Sequence, residues 1–595
     1  MKFFRLFYLF VFLGFLSCTS KKINEPTNDY GNLKIRGWNI LSSEIEKGKV
    51  ALNSAEYYNI NHLQLSHELI MNLKDVRNKK KLWTTRKLIK KAHRTGIKNV
   101  LVWDHALYGL DYYPDKFKNK EGLINLDDPE FWKWFKNDYR SMLDCIPDLN
   151  GIVLTFIETG ARIENQYSTK WTTDSEKLAN LVDSIASVVI DERNMQLYIR
   201  TFMYYKEELN ALIDCVNLIK NPKVKIMTKE VPHDFFLTHP VSAFIKKFDK
   251  EVIIEFDLGH EYNGQGVIAS ILHEVTINRW KYYAKQKNVI GYVARTDRYD
   301  KSQNIGRPTE INIYALKRIS EDTSLSAEVI TEEFITQKYG EKPVPYLKDV
   351  FLETDDIITS IYYTLGLHTN SHSRLDFDYQ SNYSRHCSGK WLDNPTVKVE
   401  HNVNKTFHYW KDIIEHLSPA RYKSKEISPG IQSILFREAP WVIDSNWVSP
   451  IEKMNTEYLN YIIREKEFGV EKAKWALNKI LNAKPYFTSD NDYKELISLY
   501  ERTLLTAKLY YYSSKAYFGF RCYINEGDSK ELNLIIKEGL AGIKSTCEEM
   551  NKYPNKGHHG QFHWIKDIDR ANKLYKNITE GWGIYDNKKF DLVAS

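Results

Sequence analysis

Cysteine is scarce in this chain and widely scattered. The 595 residues include six cysteines. Beyond Cys18 they lie far apart along the sequence, at Cys145, Cys215, Cys387, Cys522 and Cys547. Disulfide scaffolds and zinc ribbons need closely spaced cysteines. We therefore expect neither, and predict that most of these cysteines are buried free thiols.

The sequence also lacks a glycine-rich phosphate loop and an extended basic block. A doubly wound dinucleotide-binding sheet carries such a loop after an early strand, and none is present. The 84 basic and 77 acidic residues give a formal charge of +7, and the densest basic run is "RNKKK" at Arg77–Lys81. A run this short is typical of a solvated turn. We expect no nucleic-acid partner.

Histidines give no metal-binding pattern. His233, His239, His260 and His273 lie near the candidate acids described below. Zinc-binding helices place two histidines at i and i+4 with a further carboxylate, and no pair here has that spacing. We expect core or hydrogen-bonding roles for these histidines, no metal site and no cofactor.

Long apolar runs are absent except at the N-terminus. The opening "MKFFRLFYLFVFLGFLSCTSKK" has two early cations, an apolar run over Leu6–Leu16, and then Ser17 and Cys18. The run is too short to span a bilayer and is typical of a secretory signal. A cysteine after a small residue resembles a bacterial lipoprotein signal. That resemblance implies cleavage of a signal peptide over residues 1–18, lipidation of Cys18, a tether over residues 19–30, and a cell envelope location with the lipid as the only membrane contact. An ordinary secretory signal with an incidental cysteine is the alternative.

Eight short β-branched runs alternate with amphipathic segments over the first half of the chain. The runs are Ile35–Leu41, Ile60–Ser66, Ile97–Asp104, Gly151–Glu158, Gln196–Met203, Lys223–Glu230, Glu251–Leu258 and Val289–Thr296. Intervening segments such as "LWTTRKLIKKAHRTG" have apolar residues at helical spacing. Alternating strands and helices imply a parallel sheet. Eight such units fit a closed (β/α)₈ barrel of about 250 residues. We assign it to residues 31–342.

Helical periods replace the strands beyond about residue 343. Segments such as "TEYLNYIIREKEFGVEKAKWALNKIL" place apolar side chains on one face. The fold class predicted is therefore α/β, a (β/α)₈ barrel followed by a mostly α-helical domain over residues 343–595. The polar, aromatic stretch at about 369–447 is interpreted as loops facing a site, with a disordered insertion as the alternative.

Charged side chains follow most of the predicted strands, where a barrel of this kind places its active site. The candidates are Trp103, Asp104 and His105 after the third strand, Glu158 after the fourth, Arg200 on the fifth, Lys229, Glu230 and Asp234 around the end of the sixth, Glu261 after the seventh, and Arg295, Asp297 and Arg298 at the eighth.

Glu158, Asp234 and Glu261 around one mouth suit glycoside hydrolysis, in which one carboxyl protonates the leaving oxygen and another activates water or attacks. Arg200 and Lys229 would hold an anionic substrate group such as a uronic acid carboxylate, and we expect both at the rim of the barrel. The alternative is that each acid only pairs with a neighbouring base.

Several of these segments resemble α-glucuronidases of glycoside hydrolase family 67. "KEVPHDFFLTHPVSAFI" is similar to their "KNGPIDFQVREPVSPLF", "IIEFDLGHEYNGQ" to "MLEFQITQEYLGQ", "YIRTFMY" to "IWRAFVY", and "IPDLNGIVLTFIETG" to "IPDFGGFLVKANSEG". "SLSAEVITEEF" and "TLGLHTNSHSR" echo later family segments. The likeness is collinear over roughly residues 31–441.

The resemblance implies roles for five residues and a substrate class. Glu158 matches the general acid, Asp234 and Glu261 the pair that activates water, and Arg200 and Lys229 the contacts to the uronate carboxylate. It further implies an exo-acting, inverting, metal-independent enzyme that removes glucuronic or 4-O-methylglucuronic acid from acidic oligosaccharides such as xylan fragments. Trp103, Asp104, His105, Arg295 and Asp297 are expected to complete the substrate site.

The sequence also departs from the family. Only a short tether precedes the first strand, where family members carry a β-sandwich domain, "PHDFF" lacks the family's glycine, and "FIETG" replaces "NSEG". Two further functions therefore stay open: a barrel glycosidase for another acidic sugar or linkage, and a non-catalytic lipoprotein that binds acidic glycans.

Overall fold

Eight parallel strands form a closed barrel in the computed structural model. They are Ile35–Ile40 (β1), His62–Leu65 (β2), Asn99–His105 (β3), Gly151–Thr155 (β4), Gln196–Arg200 (β5), Lys225–Lys229 (β6), Val252–Asp257 (β7) and Val289–Arg295 (β8). Each strand pairs with the next, and β8 pairs with β1. Every predicted β-branched run overlaps one of these strands, so the predicted (β/α)₈ barrel is confirmed.

The structure describes residues 33–203, 206–232, 234–237, 241–298, 302–364, 367–368, 372–375, 455–556 and 564–592. Several predictions lie outside these residues: the signal peptide over 1–18 with Cys18, the tether over 19–30, His233, His239, and the candidate loops at 369–447 apart from residues 372–375. Within the described residues, no helix is both long and apolar enough to cross a membrane.

Side chains along each strand alternate between the barrel interior and the helix layer. The interior cluster consists of Ile35, Leu101, Trp103, Val153, Tyr198, Met227, Ile253, Ile290 and Val293. Residues one position out of phase, such as Val102 and Ile254, join the larger core beneath the helices. This alternation decides which residues near the strand ends face the mouth.

Helices follow seven of the eight strands. They are Ile45–Ser54 (α1), Lys79–Arg94 (α2), Pro129–Asp144 (α3), Asp174–Ala186 (α4), Lys206–Leu218 (α5), His273–Tyr283 (α6) and Ile311–Glu321 (α7). Local sequence sets their starts: the Asn78 side chain accepts from two backbone N–H groups of α2, and Thr173 forms a capping box with Glu176 at α4. After β6, the described residues hold a short 3₁₀ turn, Ala243–Lys247, where the other units have a helix.

The β1–β8 seam depends on a close backbone approach at Gly291. A Cβ at this position would overlap the carbonyl oxygen of Ile35 and lie 2.7 Å from its carbonyl carbon. We expect Gly291→Ala to lower the free energy of unfolding by about 1–3 kcal/mol, as overpacking does in other cores. Urea unfolding of Gly291→Ala and Gly583→Ala measures this, because a Cβ at Gly583 meets one atom at 3.8 Å. Equal midpoints in the two variants would contradict the expectation.

The C-terminal region is helical, as predicted. Its helices are Ala327–Tyr339 (α8), Val344–Leu352 (α9), Thr354–Tyr362 (α10), Thr456–Ala483 (α11), Asp490–Glu526 (α12), Lys530–Lys552 (α13) and Ile565–Glu580 (α14). A small hairpin of Tyr363–Thr364 and Leu367–His368 follows α10. Helix α12 packs against both α11 and α13.

Helix α12 also supports the loop that follows β7. Arg502 Nε donates to the carbonyl oxygen of Val267 at 2.6 Å, and the N–H of Ala269 donates to Thr503 Oγ1 at 2.9 Å. Arg502 and Thr503 are buried. The helical region therefore fixes the loop that carries Glu261.

Candidate active site

Glu255 of β7 holds two arginines on the floor of the barrel mouth. Its Oε2 accepts from Arg200 Nε at 2.6 Å, and its Oε1 accepts from Arg295 Nε at 2.9 Å. Burial alone would raise the pKa of Glu255, but Arg200 and Arg295 outweigh it and lower the pKa to about 2. Glu255 is thus a permanent carboxylate that orients both guanidinium groups.

Arg200 lies on this floor and not at the rim. Its side chain is 2% exposed, and its guanidinium lies 4.7 Å from the ring centre of Trp103 and 5.0 Å from that of Phe202. The expectation of a rim position for Arg200 is therefore wrong. Within the described residues, its buried Nη2 has no hydrogen-bond partner. An unpaired buried donor is costly unless a ligand or water meets it, so this nitrogen is available to an anion that enters the mouth.

Lys229 and Asp234 form a buried pair beside Arg200. Lys229 Nζ donates to Asp234 Oδ1 at 2.5 Å, and the hydroxyl of Tyr262 donates to Asp234 Oδ2 at 2.5 Å. Lys229 is 4% exposed, so the predicted rim position is wrong for this residue too. Burial lowers the pKa of Lys229, Asp234 raises it, and the net shift is downward. The ammonium also lies 3.3 Å from the ring centre of Phe202.

Glu261 is held by three side chains. Its carboxylate accepts from Arg295 Nη1 at 3.2 Å, from Arg298 Nη2, and lies 3.1 Å from His372 Nε2. Burial opposes ionisation, but Arg298, His372 and Arg295 outweigh it and hold the pKa of Glu261 well below its usual range. Glu261 is therefore ionised in the unliganded protein.

Residues 372–375 supply His372 and one further side chain, Ser373, to the turn that carries Glu261. The ring of His372 stacks on Tyr262 with centroids 5.3 Å apart. Ser373 Oγ donates to the carbonyl oxygen of Glu261 and accepts from the N–H of Gly264, both at 2.8 Å. Reasoning from strand ends missed His372 and Ser373, because they lie more than a hundred residues downstream of the barrel strand they contact. Two signals pointed to this segment, namely the interpretation of residues 369–447 as loops facing a site and the echo of a family segment in "TLGLHTNSHSR", but neither singled out these two residues.

Glu158 lies beyond the end of β4, on a backbone in the left-handed region with φ of 60°. Its side chain is exposed, and Lys229, Arg200, Asp234 and Glu261 lie close enough to act on it electrostatically. Desolvation there raises the pKa of Glu158, Lys229 and Arg200 lower it, and Asp234 and Glu261 raise it again, with a net upward shift. A carboxyl with a raised pKa suits proton donation.

Asp104 does not face the mouth. It lies in phase with Val102, toward the helix layer, and accepts from the N–H of Leu73 at 2.8 Å and from the hydroxyls of Tyr108 and Tyr139. The structure therefore corrects the predicted substrate contact: Asp104 ties β3 to the loop before α2 and to α3. Glu230 is likewise out of phase and pairs with Arg279 at 3.1 Å.

Asp297 has a structural position as well. Its two carboxylate oxygens accept from the N–H groups of Leu41 and Ser42 at 3.0 and 2.9 Å. Burial raises the pKa of Asp297 to about 6, although these two N–H groups lower it. Asp297 joins the end of β8 to the end of β1, and the structure does not bring it to the carboxylates of the mouth.

Trp103 and His105 point inward but are nearly inaccessible. The indole N–H of Trp103 donates to Gln64 Oε1 at 2.8 Å, while its ring supports Arg200. His105 Nδ1 lies 2.6 Å from the carbonyl oxygen of Met71, and burial lowers the pKa of His105 to about 4. Both side chains are 1% exposed, so neither presents a free surface to a substrate.

The mouth carries a net positive charge when its high-pKa acids are protonated. Four cations, Arg200, Lys229, Arg295 and Arg298, then face three carboxylates, Asp234, Glu255 and Glu261. The acids that would be protonated are Glu158 and Asp257, whose pKa values are both raised chiefly by burial. This excess of positive charge favours an anionic ligand.

No family model matches the chain, and a search of curated proteins gives no match. Among solved structures, the chain is similar to a GH138 enzyme targeting pectin rhamnogalacturonan II, with a TM-score of 0.56 and 11% identity, over 87% of this chain and 62% of that enzyme. A GH115 4-O-methyl-α-glucuronidase with specificity for decorated arabinogalactans aligns with a TM-score of 0.47 and 10% identity, over 95% of this chain and 63% of that one. This chain thus spans less than two thirds of the length of either enzyme. The GH138 similarity shows that the chain shares the fold of a barrel found in glycoside hydrolases.

Proposed function

We propose that this protein is an exo-acting, inverting glycoside hydrolase that removes α-linked glucuronic or 4-O-methylglucuronic acid from oligosaccharides such as xylan fragments. The observation that carries the proposal is the unpartnered Nη2 of Arg200 in a positively charged mouth that also contains three candidate catalytic carboxyls. The sequence resemblance to family 67 and the shared barrel fold support it.

The raised pKa of Glu158 fits it for the role of general acid, which protonates the departing glycosidic oxygen. Asp234 and Glu261 then hold the attacking water and take its proton. Tyr262 links the two, because its hydroxyl donates to Asp234 while its ring stacks on the His372 that contacts Glu261. Inversion requires acid and base carboxyls about 6.5–9.5 Å apart, which leaves room for sugar and water.

Arg200 and Lys229 bind the uronate carboxylate in this scheme. Arg200 offers Nη2 while its Nε stays on Glu255, so the guanidinium keeps its orientation when substrate enters. Lys229 must share its ammonium between Asp234 and the substrate. Both lower the pKa of Glu158 electrostatically, which supports an anion site close to the proton donor.

A panel of aldouronic acids, glucuronides, galacturonides and neutral glucosides tests the proposed activity. Proton magnetic resonance of the first product formed gives its anomeric configuration. Release of β-glucuronate from an α-linkage supports the proposal. Release of the α-anomer would instead indicate a retaining enzyme. Preference for galacturonides would indicate a hydrolase for another acidic sugar, and binding without turnover would indicate a glycan-binding protein.

We expect Arg200→Ala and Lys229→Ala each to lower kcat/KM on uronides by about 10- to 100-fold, since each removes a charge-assisted hydrogen bond of about 1.5–3 kcal/mol. Because both residues are buried, some loss of stability should accompany the change, and Arg200→Lys keeps a cation against Glu255 as a check. Lys225→Ala on the same strand as Lys229 is the control, because Lys225 pairs with Glu251 instead. The ratio of kcat/KM on uronides to kcat/KM on neutral glucosides tests the role of the two cations. An equal loss on both substrates would contradict recognition of the substrate carboxylate.

For location, we propose a lipid-anchored protein of the bacterial cell envelope, modified at Cys18. Metabolic labelling with a fatty acid should mark the wild-type protein and not Cys18→Ser. Equal labelling of the two would rule out this anchor.

A further inference from the structure

Asp257 is an inward-facing carboxyl of β7 that the proposed mechanism does not use. It lies in phase with Ile253 and Glu255, at the register position of Arg295 on β8, and is 2% exposed. Its Oδ2 accepts from the backbone N–H of Glu261 at 2.7 Å, and within the described residues its buried Oδ1 has no hydrogen-bond partner. Asp257 therefore caps the turn that presents Glu261 while leaving one oxygen unsatisfied.

Asp257 and Glu261 share the same cations. Arg295 bonds to Glu261 and lies opposite Asp257 in register, and both Arg295 and Arg298 act electrostatically on each of the two carboxyls. When Asp257 is neutral, it does not compete with Glu261 for Arg298 or for the part of Arg295 that Glu255 leaves, so Glu261 is a weaker base. When Asp257 is ionised, its negative charge offsets part of the positive charge of Arg295 and Arg298 and repels the carboxylate of Glu261. Both effects raise the proton affinity of Glu261.

We propose that Asp257 is a positioning residue whose charge tunes Glu261 as the acceptor of the water proton. The inference rests on the proposed function for its catalytic consequence, but the coupling between the two carboxyls does not.

The surroundings of Asp257 agree with titration near neutrality. Burial raises the pKa of Asp257 to about 6, Arg295 opposes the shift, and Glu261 adds to it. The charged and titratable groups around Asp257 and its partners are Glu255 and Glu261 on its own strand and turn, Lys229 at the end of β6 and Glu230 next to it, Arg295 at the end of β8 and Arg298 three residues later, His67 after β2, and His372. The histidines among them have lowered pKa values, whereas burial raises the pKa of Glu230 as it does that of Asp257. Glu230 is out of phase with the mouth and pairs with Arg279, so the Asp257→Asn variant isolates the charge change next to Glu261.

The catalytic arm of the test compares the wild type with two variants of Asp257 and one control variant. In the wild type, kcat/KM should fall as pH drops through about 6, because protonation of Asp257 weakens Glu261. Asp257→Asn keeps an acceptor for the N–H of Glu261 but cannot ionise, so its acid limb should move to lower pH. Asp257→Ala also loses the acceptor and should fall about tenfold below Asp257→Asn at its best pH. Asp297→Asn is the matched control, because Asp297 has similar burial and a pKa of about 6 but caps Leu41 and Ser42. An acid limb that moves equally in Asp297→Asn, or stays in place in Asp257→Asn, would overturn the proposal.

A second arm needs no activity, so failure of the proposed function would not obscure it. A folded-state pKa of about 6 lies above the unfolded value of about 3.9. The folded state therefore holds the proton more tightly, and wild type should lose stability relative to Asp257→Asn as pH rises from about 4 to 6. Repeating the comparison with Glu261→Gln removes the repulsion, so this loss should end about one pH unit lower. If urea unfolding across pH gives the same window in both backgrounds, the two carboxyls are not coupled and the proposal fails.

Discussion

Removing the carboxyl of Glu158 is expected to lower kcat/KM on natural uronide oligosaccharides by about 10²–10⁴-fold, the usual contribution of a general acid. An alkoxide is a poor leaving group unless it is protonated. The loss should therefore be largest for substrates in which the leaving group is another sugar. Substrates with an acidic phenol as leaving group need little protonation. On those substrates the variant should keep most of its activity.

The choice of substitution matters because Glu158 adopts φ of 60°. Alanine in the left-handed region is strained, whereas glycine is not. Glu158→Gly relieves the backbone strain but removes the side-chain volume, whereas the near-isosteric Glu158→Gln keeps both. The two variants share only the loss of the carboxyl group. Agreement between them would assign the loss to the missing proton.

The pH profile gives an independent check on the same residue. Since the acid must be protonated and its pKa is raised, wild-type activity on natural substrates should fall as pH rises through that pKa. The alkaline limb should vanish in Glu158→Gln on phenolic substrates. If Glu158→Gln loses equal activity on both substrate types and keeps the limb, another group is the acid.

The barrel could be predicted from the sequence because its signal is local and repeated. Each strand is a β-branched run, and each following helix carries an apolar stripe and, in α2 and α4, a side-chain cap at its start. Hydrophobic periodicity is the strongest fold signal that a single sequence carries.

The phase of residues near the strand ends was harder to assign. Asp104 and Glu230 close their strands as visibly as His105 and Lys229 do, but each is one residue out of phase with the interior. A two-residue period counted from Trp103 would have excluded Asp104. The same count from Ile253 would have found Glu255 and Asp257.

The burial of Arg200 and Lys229 within the barrel could not be predicted from composition or spacing. Arg200 and Lys229 lie on the floor because Glu255 and Asp234 neutralise them there. Burying an arginine or lysine without such a partner would cost several kcal/mol. Contacts between distant segments, such as Ser373 with Glu261, leave no mark in the local sequence.

Replacing Glu261, which Arg295, Arg298 and His372 hold, is expected to have the other large effect on activity. Glu261→Ala should lower kcat/KM on uronides by about 10²–10⁴-fold, since general-base catalysis is lost. It also leaves Arg298 and His372 without their shared partner, while Arg295 keeps Glu255. That surplus of positive charge should attract a small anion into the vacated space.

Azide is a small anion that can bind in this positively charged space, and its product shows the stereochemistry of the reaction. Added azide should restore part of the activity of Glu261→Ala and yield a glycosyl azide of inverted configuration, because it attacks from the side where water is normally held. Asp234→Asn should be impaired less severely, since the amide still accepts from the hydroxyl of Tyr262 although it loses the charge facing Lys229. Arg279→Gln is a useful control, because it breaks the buried pair with Glu230 outside the mouth and should show no azide rescue. An azide product of retained configuration would instead identify a nucleophile among these carboxylates, and the water-activating role proposed for Glu261 would have to be abandoned.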